Sequence, residues 1–250
     1  MTRYSFGFIF VLALGVMGCS ETAGTGGSGE DGGAAGMGGQ GGEAGTNGEP
    51  VSLLVYISSF EPPLPADGVE GLSICELETD NCVVTDAGGY ATLEGSAGEI
   101  ALSMEGAGMG PYIYTYILRA GGPPLALGNA TESRFEEMFG LVMSPYPMEG
   151  TGAIWVSGLP EGTRLTLLNG TDKPFYAEGD VKQSWNPDLS AATSREGGGF
   201  VEVAPGDYQI AVSGTSKNCL PARGWPGDSE NTVRMPVREG YLSSARLKCD

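Results

Sequence analysis

Glycine (43) and proline (16) make up nearly a quarter of the 250 residues, a composition that favours turns and irregular backbone and excludes a helical bundle. The formal charge of −18 at pH 7, with no lysine or arginine stripe to offset it locally, sets the chain against a phosphate backbone, so nucleic acid is not an expected partner. There is no histidine, which removes histidine-based triads and HExxH metal sites.

The chain opens with Arg3 and an apolar run over residues 6–16. A membrane-spanning helix needs roughly 20 apolar residues, so the run reads as a signal peptide over residues 1–18 rather than a permanent span. Val16-Met17-Gly18-Cys19 resembles the bacterial lipoprotein box, in which an aliphatic and a small residue precede a cysteine that becomes lipidated and N-terminal. The resemblance implies that Cys19 carries the acyl chains, that the membrane is a partner through this lipid anchor, and that everything after it is extracytoplasmic. Each buried methylene contributes about 0.8 kcal/mol, so two or three chains make a stable anchor. Ser20 in the next position implies passage to the bacterial outer membrane or cell surface.

Residues 19–50 form a tether after the lipidated cysteine. Of residues 20–50, 13 are glycine and all five charged ones are acidic, too little apolar surface to offset the entropy of ordering, so the segment is expected to be disordered. Gly24, Gly26 and Gly29 spell G-x-G-x-x-G, but with no strand before it and no helix after it the pattern has no phosphate-binding mechanism.

Beyond residue 50 short runs alternate with period two: VSLLVYIS, LSICEL, CVVT, YATLEG, EIALSM and YIYTYIL, then AIWVSG, TRLTLL, FVEV, DYQIAV and YLSSARLKC. Aromatic and β-branched residues between glycine, proline and asparagine turns predict antiparallel strands, and so a mostly β fold. Residues 85–104 and 194–213 are alike: a glycine-rich turn leads into an aromatic, Tyr90 or Phe200, then come a strand, a small-residue-plus-glycine turn, an acid and a second strand. The pattern predicts a hairpin in each, its register pinned by an inward-packing aromatic. An internal repeat implies two domains, residues 51–147 and 148–250.

The order Thr-Asp-x-x-Gly-aromatic, strand, turn glycine, strand, preceded by GVEGLSICEL, resembles the carboxypeptidase regulatory-like domain. That resemblance implies two seven-stranded transthyretin-like (Ig-like) β-sandwiches in tandem, at about 51–120 and 150–250. The second copy departs from it with a longer connection at 169–193 and with Arg195-Glu196 in place of the Thr-Asp pair. These are turn and core positions, which speak to fold rather than chemistry. Between the halves, Phe135, Met138, Phe139 and Val142 fall at i, i+3, i+4 and i+7, and Ser133 and Glu136 are spaced as a capping box. They predict one short amphipathic helix over 133–142, docked on a sandwich or at the junction.

With Cys19 lipidated, four cysteines remain in an oxidising compartment, and three disulfide pairings are open. Cys75 with Cys82 and Cys219 with Cys249 is the favoured one, adding about 2.5 and 3.7 kcal/mol by loop entropy. A metal–thiolate site is the rival, without any C-x-x-C or histidine to support it. No G-x-S-x-G or S-x-x-K motif occurs, and no catalytic residue, metal or cofactor is assigned.

Residues 51–147 carry 13 acids and 2 bases, net −11; residues 148–250 carry 13 and 10, net −3. Glu78, Asp80 and Asp86 are the candidates for a weak calcium site, though without calcium-loop spacing. Trp155 falls in a strand and belongs to the core. Trp185 and Trp225 fall in proline- and asparagine-rich connections, where a ring either stacks on a glycan or protein ligand or folds back over the sandwich. Asn129 and Asn169 begin N-x-T sequons without significance in a bacterial lipoprotein. The composite expectation is a non-catalytic surface lipoprotein serving adhesion, envelope assembly or glycan or peptide recognition. The alternative is an accessory or weakly hydrolytic carbohydrate-processing protein that uses acidic residues.

Overall fold

The computed structural model describes residues 50–59, 67–170, 173–178, 184–193 and 197–250. The signal peptide, Cys19 and the glycine-rich segment expected to be a tether lie outside the described residues.

The first half contributes β1 (Pro50–Ser59), β2 (Ser73–Glu76), β3 (Cys82–Val84), β4 (Tyr90–Ser96), β5 (Gly98–Gly106), β6 (Met109–Leu118) and β7 (Leu125–Asn129), then α1 (Glu132–Leu141). The second half contributes β8 (Gly152–Ser157), β9 (Arg164–Leu167), β10 (Phe175–Glu178), β11 (Ser184–Asn186), β12 (Gly197–Val203), β13 (Gly206–Ser213), β14 (Cys219–Arg223), β15 (Trp225–Pro226), β16 (Thr232–Val237) and β17 (Leu242–Cys249). The fold is mostly β with one helix among the described residues.

The repeat seen in the sequence extends to the whole topology. In the first half β1 lies between antiparallel β4 and parallel β7, while β2, β5 and β6 form the opposing sheet. In the second half β8 lies between antiparallel β12 and parallel β17, and β9, β13 and β16 oppose them. Seven strands thus correspond pairwise, with one exception: β3 pairs with β2, whereas its counterpart β10 crosses to the other sheet and pairs with β12.

The expected hairpins are a correction. β4 and β5 belong to different sheets, as do β12 and β13, so each glycine turn carries the chain across the sandwich rather than back along its own strand. The expected inward aromatic holds only for Phe200, which is fully buried; Tyr90 is exposed and rests on Tyr56, with ring centroids 4.8 Å apart. Alternation explains this, because β4 turns Ala91 and Leu93 inward and therefore Tyr90 outward.

The halves are not separate beads. β17 pairs in parallel with β8 and also, through Leu242–Ser244 opposite Tyr112–Tyr114, with β6. One ten-stranded sheet therefore runs through both halves, and the described residues make one compact unit. The division expected at 147/148 falls between α1 and β8, where neither this unit nor the core stops. One face of the long sheet, with Tyr112, Tyr114, Leu242, Ala153 and Trp155, is covered by β4–β1–β7 and α1. The other, with Ile154, Val156, Ala245 and Phe200, is covered by β9–β13–β16. Strands buried on both faces lose the polar–apolar alternation of a half-exposed sheet, and β6 (MGPYIYTYIL) and β8 (GAIWVS) read that way.

Helix α1 docks through Phe135, Met138 and Phe139, as its periodicity predicts. Its cap is a correction: Thr131, not Ser133, is the N-cap, and its Oγ1 accepts from the Arg134 N–H at 3.3 Å. The helix begins two residues earlier than the capping-box spacing implies.

Glycine has a steric task in β12. A Cβ on Gly199 would lie 1.8 Å from the Ile154 carbonyl oxygen, and one on Gly198 would meet Tyr176. Gly199→Ala is expected to destabilise the protein by about 1–3 kcal/mol or more, since the obstruction is backbone and cannot rotate away. Urea unfolding followed by circular dichroism measures it.

Candidate functional site

Both favoured disulfides are present. Cys75–Cys82 clamps the β2–β3 hairpin at directly opposed positions, and Cys219–Cys249 joins β14 to the end of β17. Cys219 opens β14 and lies directly opposite Cys249.

The two loop tryptophans have different fates, and neither is an open stacking ring. Trp185 lies in β11 opposite Ala177 and is 3% exposed. It packs against Phe175 (4.4 Å between centroids), Phe139 (5.2 Å) and Trp155 (5.7 Å). The reading of Trp185 as an exposed ligand platform is corrected: helix α1 covers that face of the sheet, and the ring fills the space beneath it. Trp155 is in the core as expected. Trp225 is half-buried on β15, and its Nε1–H donates to the Ile100 carbonyl at 3.2 Å. Its ring joins the second half to β5.

The uneven charge of the two halves acquires a role at this junction. Arg234 Nη2 donates to both carboxylate oxygens of Glu99 (2.7 and 3.0 Å), and the guanidinium lies 5.7 Å from the centre of the Trp225 ring. Arg238 donates to Glu78 at 2.7 Å, and the hydrogen bond and charge of Arg238 hold the Glu78 carboxyl below its usual range. Arg223 lies over the Tyr114 ring and donates to the Ala126 carbonyl at 3.4 Å. Three arginines of the less acidic half thus reach into the acidic one. Sequence inspection missed them individually; the contrast of −11 with −3 was their only signal.

The proposed calcium ligands are occupied otherwise. Glu78 is paired with Arg238, and Asp86 Oδ1 accepts the N–H groups of Gly88 and Tyr90, both at 2.9 Å, fixing the turn into β4. Asp80 is exposed in the β2–β3 turn. No cluster of three metal-ligating side chains occurs among the described residues. Asn129, the first sequon residue, is buried: its Nδ2 donates to the Gly110 carbonyl at 3.1 Å and its Oδ1 accepts from Ala130 N–H.

Sheet edges are the usual places for strand addition, and here most are already satisfied. On β4, Tyr90 exchanges hydrogen bonds with Asp86, and the Glu94 carbonyl accepts from Asn81 Nδ2 at 2.7 Å. On β7, the carbonyls of Ala126 and Gly128 accept from Arg223 and from the Tyr114 hydroxyl. On β9, the Leu165 N–H donates to the Tyr176 hydroxyl. β3 is only three residues long and disulfide-clamped.

One stretch differs. β7 pairs with β1 only from Val55 onward, so among the described residues Pro50–Leu54 of β1 has no strand beside it on that edge. A cleft of about 80 Å³ opens there, lined by Ser52, Leu54, Tyr116, Arg119, Pro123 and Pro124 among others.

The long sheet also buries two phenols. Loss of solvation pushes Tyr112 up to about 12, eased by the hydroxyls of Ser244 and Tyr114, and burial raises Tyr114 as well. An unfolded tyrosine ionises near 10. Stability from Tyr112 is therefore complete below about pH 10 and is lost as pH rises toward 12, because the unfolded chain releases a proton that the folded chain retains. Urea midpoints between pH 9 and 12 are expected to fall, and to fall less steeply in Tyr112→Phe.

No helix among the described residues is long and apolar enough to cross a membrane. No family model and no curated protein matches the chain. Solved structures with some similarity include GBS52, the minor pilin of Streptococcus agalactiae, with 10% identity over 80% of this chain and 95% of that one, at a TM-score of 0.25. The shaft pilin SpaA of Lactobacillus rhamnosus GG matches at 10% identity over 81% of this chain and 98% of that one, at 0.24. The Bacillus anthracis TIE protein matches at 11% identity and a TM-score of 0.26; the match covers 80% of this chain but only 34% of the TIE chain.

Proposed function

We propose that this protein is a lipid-anchored, extracytoplasmic, non-catalytic surface protein, in which two transthyretin-like sandwiches of the carboxypeptidase regulatory-like kind form one rigid binding or structural module. The observation that carries the reading is the shared sheet. β17 belongs to the second sandwich yet pairs with β6 of the first, and Trp225, Arg223, Arg234 and Arg238 reinforce that joint. Such a joint transmits position without hinging, which suits a module held away from a membrane. Two closed disulfides favour an oxidising compartment. The lipoprotein box at Cys19 and the glycine-rich segment after it supply the anchor and the tether.

The carbohydrate-processing alternative needs two carboxylates facing each other across a cleft. Glu78 and Glu99 are instead held in ion pairs and Asp86 in a turn, so no observation favours it.

Expression in a bacterium with labelled palmitate tests the anchor. Label and membrane association are expected in the full chain and absent in Cys19→Ser. An unlabelled chain that fractionates as soluble protein would remove the lipoprotein reading.

A further inference from the structure

The cleft beside β1 combines three features that point to one kind of ligand. The first is an unused strand edge. Ile57 directs its N–H toward the β4 side, where it donates to the Gly89 carbonyl. Alternation along the strand then turns the N–H and C=O of Ser52 toward the other edge, beyond the start of β7. The second is apolar walls: Leu54, 39% exposed, together with Tyr116, Pro123 and Pro124. The third is Arg119, which is exposed and makes no ion pair or side-chain hydrogen bond among the described residues. Residues 51–147 contain one other base, Arg134, and it is paired with Glu137.

We propose that this cleft binds the C-terminal end of an extended peptide, with its backbone bonded to the β1 edge at Ser52 and its terminal carboxylate on Arg119. The proposal deepens the reading of the protein as a binding module. A peptide is favoured over a glycan because the polar groups on offer belong to a strand edge, which an extended backbone matches in spacing. A chain end is favoured over a through-running segment because Leu125 takes the β1 edge from Val55 onward, so an added strand has no further edge to follow. Of the two ends, the amino terminus would bring a positive charge to Arg119 and the carboxyl terminus a negative one that a guanidinium can hold by two hydrogen bonds. The net charge of −18 disfavours ligands with several acids, so the preferred peptide carries one carboxylate and is otherwise neutral.

The test uses the full chain in detergent and a hexapeptide of alternating valine and threonine carrying an uncharged BODIPY label at its amino end, read by fluorescence polarisation. The free-acid peptide is expected to bind about tenfold more tightly than its C-terminal amide. Arg119→Gln is expected to remove most of that difference, weakening the free acid far more than the amide, and Arg119→Lys to restore part of it. Methylating the peptide nitrogens should weaken both forms. Because Arg119 is exposed, the variants are expected to unfold at the wild-type urea concentration. Equal binding of acid and amide, no binding of either, or an Arg119→Gln variant that discriminates as strongly as the wild type would overturn the proposal. Displacement of the peptide by an oligogalacturonate at lower concentration than the unlabelled free acid would overturn it in favour of an acidic glycan. None of these readouts depends on acylation of Cys19, so the anchor and the cleft stand or fall separately.

Discussion

Trp185→Ala is expected to cost about 3–5 kcal/mol of stability, the range for removing a large aromatic from a packed interior. At 2–4 °C per kcal/mol for a unit of this size, that is a fall in Tm of roughly 6–20 °C. The reason lies in the geometry beneath α1. Trp185 contacts Phe139 of the helix together with Phe175 and Trp155 of the long sheet, so its loss opens a cavity where the first half's helix seals the second half's sheet. Trp225→Ala removes a half-buried ring and one hydrogen bond to Ile100, and a loss nearer 1–2 kcal/mol is expected. Urea unfolding followed by far-ultraviolet circular dichroism ranks the two. A Trp185 variant as stable as the wild type would mean that the ring is not in the interior.

Removing Cys219–Cys249 by paired alanine substitution is the second large effect. The bond closes a longer loop than Cys75–Cys82, with a sequence separation of 30 against 7. Chain entropy then gives up to about 3.7 kcal/mol for the first and about 2.5 kcal/mol for the second. The longer bond also ties β14 to β17, the strand that both halves share. Its loss is therefore expected to lower one common transition rather than to separate two. Calorimetry showing two peaks in the Cys219/Cys249 alanine variant, or a larger drop for the Cys75/Cys82 variant, would contradict this account of the joint.

Much of the fold was legible because the signals are local. Alternation in VSLLVYIS and YLSSARLKC placed β1 and β17, and the i, i+3, i+4 spacing of Phe135, Met138 and Phe139 placed the helix. Other strands carried no such signal. β7 (LALGN), β10 (FYAE) and β11 (SWN) are too short to show a period, and β16 (TVRMPV) contains a proline. The resemblance between 85–104 and 194–213 correctly exposed a repeat, but a glycine turn reads the same whether the chain returns along its own sheet or crosses to the opposite one. Partner choice between strands is a long-range property.

The same division holds for the candidate sites. By itself the sequence determined the class of fold, the cysteine arithmetic, the absence of histidine chemistry and the contrast in charge between the halves, all matters of composition and local spacing. Only the tertiary structure decided that Trp185 is interior, that Arg223, Arg234 and Arg238 spend their charges across the joint, and that β1 keeps an unpaired edge beside Arg119. Each of these depends on which surfaces meet, and burial and pairing are set by contacts between residues distant in the chain, such as Phe139 with Trp185, Val55 with Leu125 and Glu99 with Arg234.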